Sequence, residues 1–261
     1  MQSPDEKRMQ NRDRIVASIQ VRMGSSRLPG KVMRVVQNRP LLGFLVGRLR
    51  LCQTLDEIIV ATSSGIENDV IESFCDSESV RCFRGSETDV LDRTHKALSS
   101  ASATIGVEVF GDCPLIDPVI VDHVVRVFEN NRKYDFVGND LKTTYPPGME
   151  VEVFSVDALS DSAERVAPND PVREHGTLFI RQHPNLYKLL NIEASEDIRR
   201  PELELEVDTV EDYSVVTSII ENFEGRVDFT LKEIIQYLDD NPQVAELNSR
   251  VYRRWKEFRV N

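Results

Sequence analysis

Residues 14–33 read RIVASIQVRMGSSRLPGKVM, a short apolar run followed by a loop of glycine, serine, proline and cations. The run is continuous and only six or seven residues long, which suits a strand buried on both faces. Gly24, Pro29 and Gly30 then break any regular period, so the cations Arg22, Arg27 and Lys31 fall on a loop leaving the strand's carboxyl end. Downstream the chain alternates. EIIVATS, VRCFRG and TIGVEVFGD read as strands, and ENDVIESFCDS, ETDVLDRTHKALSSA and DPVIVDHVVRVFENN read as helices, the last with Asp117 as cap and Pro118 in its first turn. Pro40 opens a helix with Leu41, Leu42, Leu45, Val46 and Leu49 on one face. Such alternation predicts an α/β fold with a Rossmann-like, mostly parallel central sheet, whose ligands sit beyond the carboxyl ends of the strands. The loop after the first strand and GDCPLID after a later one therefore face a common crevice.

Beyond Tyr134 the rhythm loosens. YDFVGN, MEVEVF, LYKLLNIEA and LELEVD read as strands, with helices over 156–167 and 170–181. TVEDYSVVTSIIENF is an amphipathic helix, and helices over 231–238 and 242–255 close the chain. The expected organisation is a flexible tail over 1–13 and a single domain over 14–261. Within it, a smaller sugar-binding or dimerisation lobe spans about 139–200, and C-terminal helices fill 230–258.

The chain has 261 residues and a formal net charge of -12. That balance argues against a nucleic-acid surface, which needs an extended basic face. No apolar run is long enough to span a membrane and the polar N-terminus is no signal peptide, so cytoplasmic residence is expected. The four cysteines show no paired spacing and read as reduced thiols. The charge is nevertheless uneven. From Arg14 to Leu55 there is no acid, against eight cations. Arg48 and Arg50 read as solvating a helix face. Arg22, Arg27 and Lys31 do not, and their crowding points to a small, highly charged anion.

The loop is neither of the two standard phosphate motifs. Gly24 and Gly30 bracket five residues rather than the four of a P-loop, and Val32 stands where a hydroxyl residue would follow the lysine. Its chemistry still suits a polyphosphate: open backbone N–H groups, serine donors, two bidentate guanidinium groups and one mobile ammonium. Two acids at chain positions comparable to strand ends, Asp112 and Asp208, are hard oxygen ligands suited to Mg2+ beside a triphosphate. The competing reading is helix capping, with Asp208 or Thr209 starting the helix that follows.

QVRMGSSRLPGKVM, FRGSETDVLDR, GDCPLIDP, TYPPGMEVEVF, VREH and VDTVEDY occur in the order found in one cytidylyltransferase family. From about Ile15 to Phe223 the chain resembles the spore coat polysaccharide biosynthesis protein F group, related to acylneuraminate and 3-deoxy-manno-octulosonate cytidylyltransferases. The resemblance implies the nucleotide-diphospho-sugar transferase type of fold, a homodimer, and CTP plus a sugar acid giving a CMP-sugar and pyrophosphate. It implies a catalytic set of Arg22, Arg27, Lys31 and Asp112, and nucleotide binding by Gln20, Arg22, Gly24, Ser25, Ser26, Arg27 and Lys31. Arg84, Gly85, Asp89 and Arg93 join that nucleotide side. Asp112 and Asp208 would hold magnesium, and Tyr145, Glu150, Glu152, Arg173 and His175 would line the sugar side. Where the group carries an Arg-x-Thr pattern before its Gly-Asp pair, this chain has Glu108 and Phe110.

Two other functions are compatible with the fold. A glycosyltransferase would carry an Asp-x-Asp motif mid-chain, and the nearest tandem acids, Asp239 and Asp240, lie in a C-terminal helix. A non-catalytic nucleotide-binding homologue would tolerate Glu108 and Phe110. No general base stands out. His175 is a candidate that could equally pack on a helix face, and His95, His123 and His183 carry no motif.

Overall fold

The computed structural model describes residues 12–253. The expected tail lies outside them apart from Arg12 and Asp13, whose side chains pair with Asp56 and Arg132. Seven strands build one sheet: β1 Ile15–Gln20, β2 Glu57–Ser63, β3 Arg81–Gly85, β4 Ile105–Phe110, β5 Phe136–Gly138, β6 Glu152–Ser155 and β7 Leu189–Asn191. Their order is β3-β2-β1-β4-β6-β5-β7. β1 is central and parallel to both β2 and β4, and β2 is parallel to β3. β6 alone runs antiparallel to its neighbours, β4 and β5. The reason is local: residues 139–151 return to β6 without a helix, so no parallel crossover forms.

Helices cover both faces. α1 Leu41–Leu49, α2 Asp69–Glu78, α4 Pro118–Asn130, α7 Val210–Asn222 and α8 Leu231–Asp240 pack on one side, sharing a core with Ala17, Ile19 and Val107. α3 Val90–Ser100, α5 Val156–Arg165 and α6 Leu178–Gln182 pack on the other, against Val16, Ile59 and Phe154. The period-two alternation of β1 explains the division: Val16 points one way and Ala17 and Ile19 the other. Asp117 caps α4 as expected, accepting from the Val119 N–H at 2.8 Å.

Three expectations are corrected. LELEVD is not a strand. Its alternation is real, since Leu203, Leu205 and Val207 are buried, but the N–H groups of Leu205 and Val207 go to the loop carbonyls of Pro147 (2.7 Å) and Asp112 (2.8 Å) rather than to a ladder. Arg48 does not solvate a helix face. It is fully buried, donates to the carbonyls of Ile116, Val227 and Phe229 at 2.7–2.8 Å, and stacks on the Phe229 ring. The aliphatic stem and five donors of arginine suit it to stapling distant loops in this way. The final helix, α9 Pro242–Ala245, is one turn long and a 3-10 turn follows at Glu246–Asn248. The rest of its expected span beyond Arg253 lies outside the described residues.

Candidate active site

The cationic loop is anchored from below. Val21, Leu28 and Val32 are buried in the core, the Met23 carbonyl accepts from the N–H groups of Ser25 and Gly30, and Gly30 takes the left-handed conformation (φ 67°) that the turn into a 3-10 helix at Lys31–Met33 needs. Apolar anchors at these positions leave Arg22, Ser25, Ser26, Arg27 and Lys31 facing outward into a cleft of about 410 Å3. Across from the loop, the end of β4 passes so close to the end of β1 that a Cβ on Gly111 would stand 2.7 Å from the Gln20 carbonyl oxygen. That approach sets Asp112 beside the loop. Asp208 arrives from the irregular segment before α7, whose start is fixed by a reciprocal Thr209–Asp212 capping box. The capping role therefore belongs to Thr209, and the Asp208 carboxylate is free to turn into the cleft.

The two carboxylates converge on one cation. Lys31 Nζ donates to Asp112 Oδ2 at 2.9 Å and to Asp208 Oδ1 at 2.8 Å, and Arg27 donates to Asp208. Burial alone would lower the Lys31 ammonium, but the charges of Asp112 and Asp208 outweigh it and hold the pKa above its ordinary value. Burial would likewise raise Asp112, and Lys31 overrides it, so the carboxyl sits below its usual range. Arg22 pairs with Glu87 at 3.2 Å, both half exposed. Gln20 accepts from Arg93 Nε at 3.0 Å, and Arg93 Nη1 donates to the Ser86 carbonyl. Among the described residues no three His, Cys, Asp or Glu side chains form a metal cage. The pair formed by Asp112 and Asp208 does suit Mg2+, which keeps several waters and is bound through one or two carboxylates plus substrate phosphates.

The same cleft is also lined by Phe110, Glu108 and Glu152 from the sheet and by His175, Gly176, Thr177 and Arg181 from the segment around the start of α6. Sequence reading expected one helix over 170–181. The segment instead folds as a 3-10 turn at Pro171–Glu174 and then α6, with His175 and Gly176 at the break, lining the cleft rather than a helix face. Burial holds His175 below its ordinary value.

Of the expected site residues, Gln20, Arg22, Gly24, Ser25, Ser26, Arg27, Lys31, Arg93, Asp112, Glu152, His175 and Asp208 line this cleft. The others do not. Arg84 pairs with Asp69 and Glu72 and donates to the Gly65 carbonyl at the sheet edge. Gly85 ends β3 there and accepts from the Ser64 N–H. Asp89 caps α3 and pairs with Arg173 Nε at 2.7 Å, while Arg173 also donates to the carbonyls of Ala163 and Val166. The two spend their charge on joining helices. Tyr145 is packed in the core, and Glu150 is buried, accepting from the Gly148 N–H. Sequence reasoning missed Thr177 and Arg181, and it met Glu108 only as a departure from a pattern. A signal existed: Glu108 is the single acid inside the apolar run TIGVEVF, a placement that marks a buried charge.

Burial pushes Glu108 up to about 7, opposed by Arg93 and Arg181 and reinforced by Asp140. Glu152 also faces it across the strands. A carboxyl raised on folding contributes stability only while protonated, so its contribution is complete below about 4.5 and lost as pH rises through 7. The cost to the ligand-free protein at pH 8 is on the order of 3 kcal/mol. Glu108→Gln is permanently neutral. It is expected to raise the melting temperature by several degrees at pH 8 and little at pH 5; a parallel displacement at both pH values would refute this.

A cytidylyltransferase family model matches residues 16–254. Spore coat polysaccharide biosynthesis protein SpsF of Bacillus subtilis is 36% identical over 236 residues, covering 88% of this chain and 96% of that protein. A cytidylyltransferase structure from Leptospira borgpetersenii is 29% identical with a TM-score of 0.86, covering 93% of this chain and 100% of that one. The structure of CMP:2-keto-3-deoxy-manno-octonic acid synthetase complexed with CTP shares the fold, with a TM-score of 0.62 at 16% identity over 81% of this chain and 100% of that one.

Proposed function

This chain belongs to the cytidylyltransferase family, and from that premise we propose that it transfers a cytidylyl group from CTP to a sugar acid for surface polysaccharide or glycoconjugate assembly. The observation that supports this most is the convergence of Lys31, Arg27, Asp112 and Asp208 at one mouth of one cleft. In the proposed reaction a sugar hydroxyl attacks the α-phosphorus, a new P–O bond forms, and the bond to the oxygen bridging to the β-phosphate breaks. Pyrophosphate leaves with that electron pair, and the hydroxyl proton passes to water. The work of the protein is positioning and charge neutralisation. Arg22, Arg27 and Lys31 grip the departing phosphates, Ser25, Ser26 and the Gly24 backbone orient them, and Gln20 and Arg93 border the nucleotide side. A divalent cation held by Asp112 and Asp208, for which Mg2+ is the proposed ion, would supply Lewis-acid polarisation of the α-phosphate. Arg84, Asp89 and Arg173 act at a distance, by fixing the walls. A homodimer is the proposed assembly.

The test is pyrophosphate release with CTP, UTP, ATP or GTP, Mg2+ and a panel of 3-deoxy-2-ulosonic acids. Release is expected only with CTP and an acceptor together. CTP binding without release from any acceptor would overturn the transferase reading in favour of a nucleotide-binding homologue.

A further inference from the structure

Around Glu108 the cleft holds more carboxyl oxygens than the fold supplies donors for, and burial pushes Glu152 as well as Glu108 above the usual carboxylate range. Glu108 and Glu152 face each other in register across β4 and β6. Asp140, two residues beyond β5, brings a third carboxylate. All three are almost wholly buried, Glu108 at 2% exposure. One guanidinium serves two of them: Arg181 pairs with Asp140 and donates to Glu152, each at 2.8 Å, and the Thr177 hydroxyl also donates to Glu152. Glu108 is left over. Its Oε2 is buried without any hydrogen-bond partner, as is Oδ1 of Asp140. Arg93 lies near enough to attract Glu108 but points its Nε and Nη1 at Gln20 and Ser86. The backbone of Gly176 roofs the carboxylate, where a Cβ would stand 2.4 Å from Oε2. Buried polar atoms are rarely left unpaired, and an unpaired carboxylate oxygen is costly to keep.

We propose that Glu108, lining the cleft and backed by Glu152, is an ammonium-binding subsite, and that the acceptor is a sugar acid carrying a free amino group. The proposal rests on the transferase reading above and narrows its substrate class. A hydroxyl would satisfy one acceptor oxygen and supply no counter-charge for an ionised Glu108. An ammonium brings three donors and the missing positive charge together. A site of buried acceptors also rejects an analogue lacking the donor by a large factor, because its own atoms are then stranded. Glu108 thereby becomes a determinant of specificity in the cleft it shares with the cationic loop.

The experiment uses pairs of 3-deoxy-2-ulosonic acids that differ only by amino in place of hydroxyl at one carbon, sampled from the fourth carbon onward. Both kcat/KM and calorimetric binding to the CTP-loaded protein are measured. One amino acceptor is expected to exceed its hydroxyl twin at least tenfold, with N-acetylation of that amine returning it to the twin's level. Glu108→Gln is expected to erase the preference while CTP still stabilises the variant, which shows it folded. CTP binding with no amino preference in any pair, or a preference that survives Glu108→Gln, overturns the subsite alone. Failure to bind CTP at all overturns the reading of the whole cleft, and the subsite's role falls with it.

Discussion

Lys31→Ala is expected to lower pyrophosphate release about 10²- to 10³-fold, the effect of removing one preorganised charge from a developing anion. Lys31 is the most enclosed cation of the loop, its side chain 12% exposed against 31% for Arg27 and 51% for Arg22. Its field is therefore the least screened by water. In the ligand-free protein the same ammonium bridges Asp112 and Asp208, so truncation leaves two neighbouring carboxylates facing each other with only Arg27 on one of them. The variant thus gives two opposed readouts. Turnover falls because the leaving group loses its counter-charge, while Mg2+ titrated without nucleotide binds more tightly because its competitor is gone. Calorimetry measures the second independently of the first. Wild-type pyrophosphate release, or weaker metal binding, would remove Lys31 from the proposed machinery.

The central part of this architecture was legible because single residues settle it. EIIVATS is read as a strand and forms one over those seven residues, since an apolar β-branched run flanked by turns has few alternatives. The cationic loop was legible because its charge contradicts that of the chain. What escaped the sequence depends on partners far along it. LELEVD has the pattern of a strand, and only the carbonyls of Pro147 and Asp112 decide that it is not one. Arg48 looks like a surface charge until three carbonyls from two distant segments surround it. The acid cluster needs a cross-strand register and a break at His175–Gly176 to bring Glu108, Glu152 and Arg181 together. Neither follows from local propensity.

Asp112→Asn isolates the proposed metal role. The substitution keeps the side chain's size and removes only its charge. It leaves the backbone bond from the Val207 N–H to the Asp112 carbonyl oxygen in place, so the approach of the 203–208 segment is preserved. Lys31 keeps Asp208 as its counter-ion. A structural carboxylate behaves otherwise: Asp212, fully buried, accepts from Arg253 and Asn248 and closes the capping box of α7. Asp212→Asn is therefore expected to cost stability, as breaking a buried ion pair does, with little change in how Mg2+ affects CTP binding at temperatures where it stays folded. Asp112→Asn is expected to do the reverse. The melting temperature stays within a few degrees, the strengthening of CTP binding by Mg2+ disappears, and turnover falls by about 10²-fold or more. If Mg2+ still strengthens CTP binding as in the unmodified chain, Asp112 is only Lys31's counter-ion, and the cation the two acids are proposed to hold must be carried by Asp208 and the nucleotide instead.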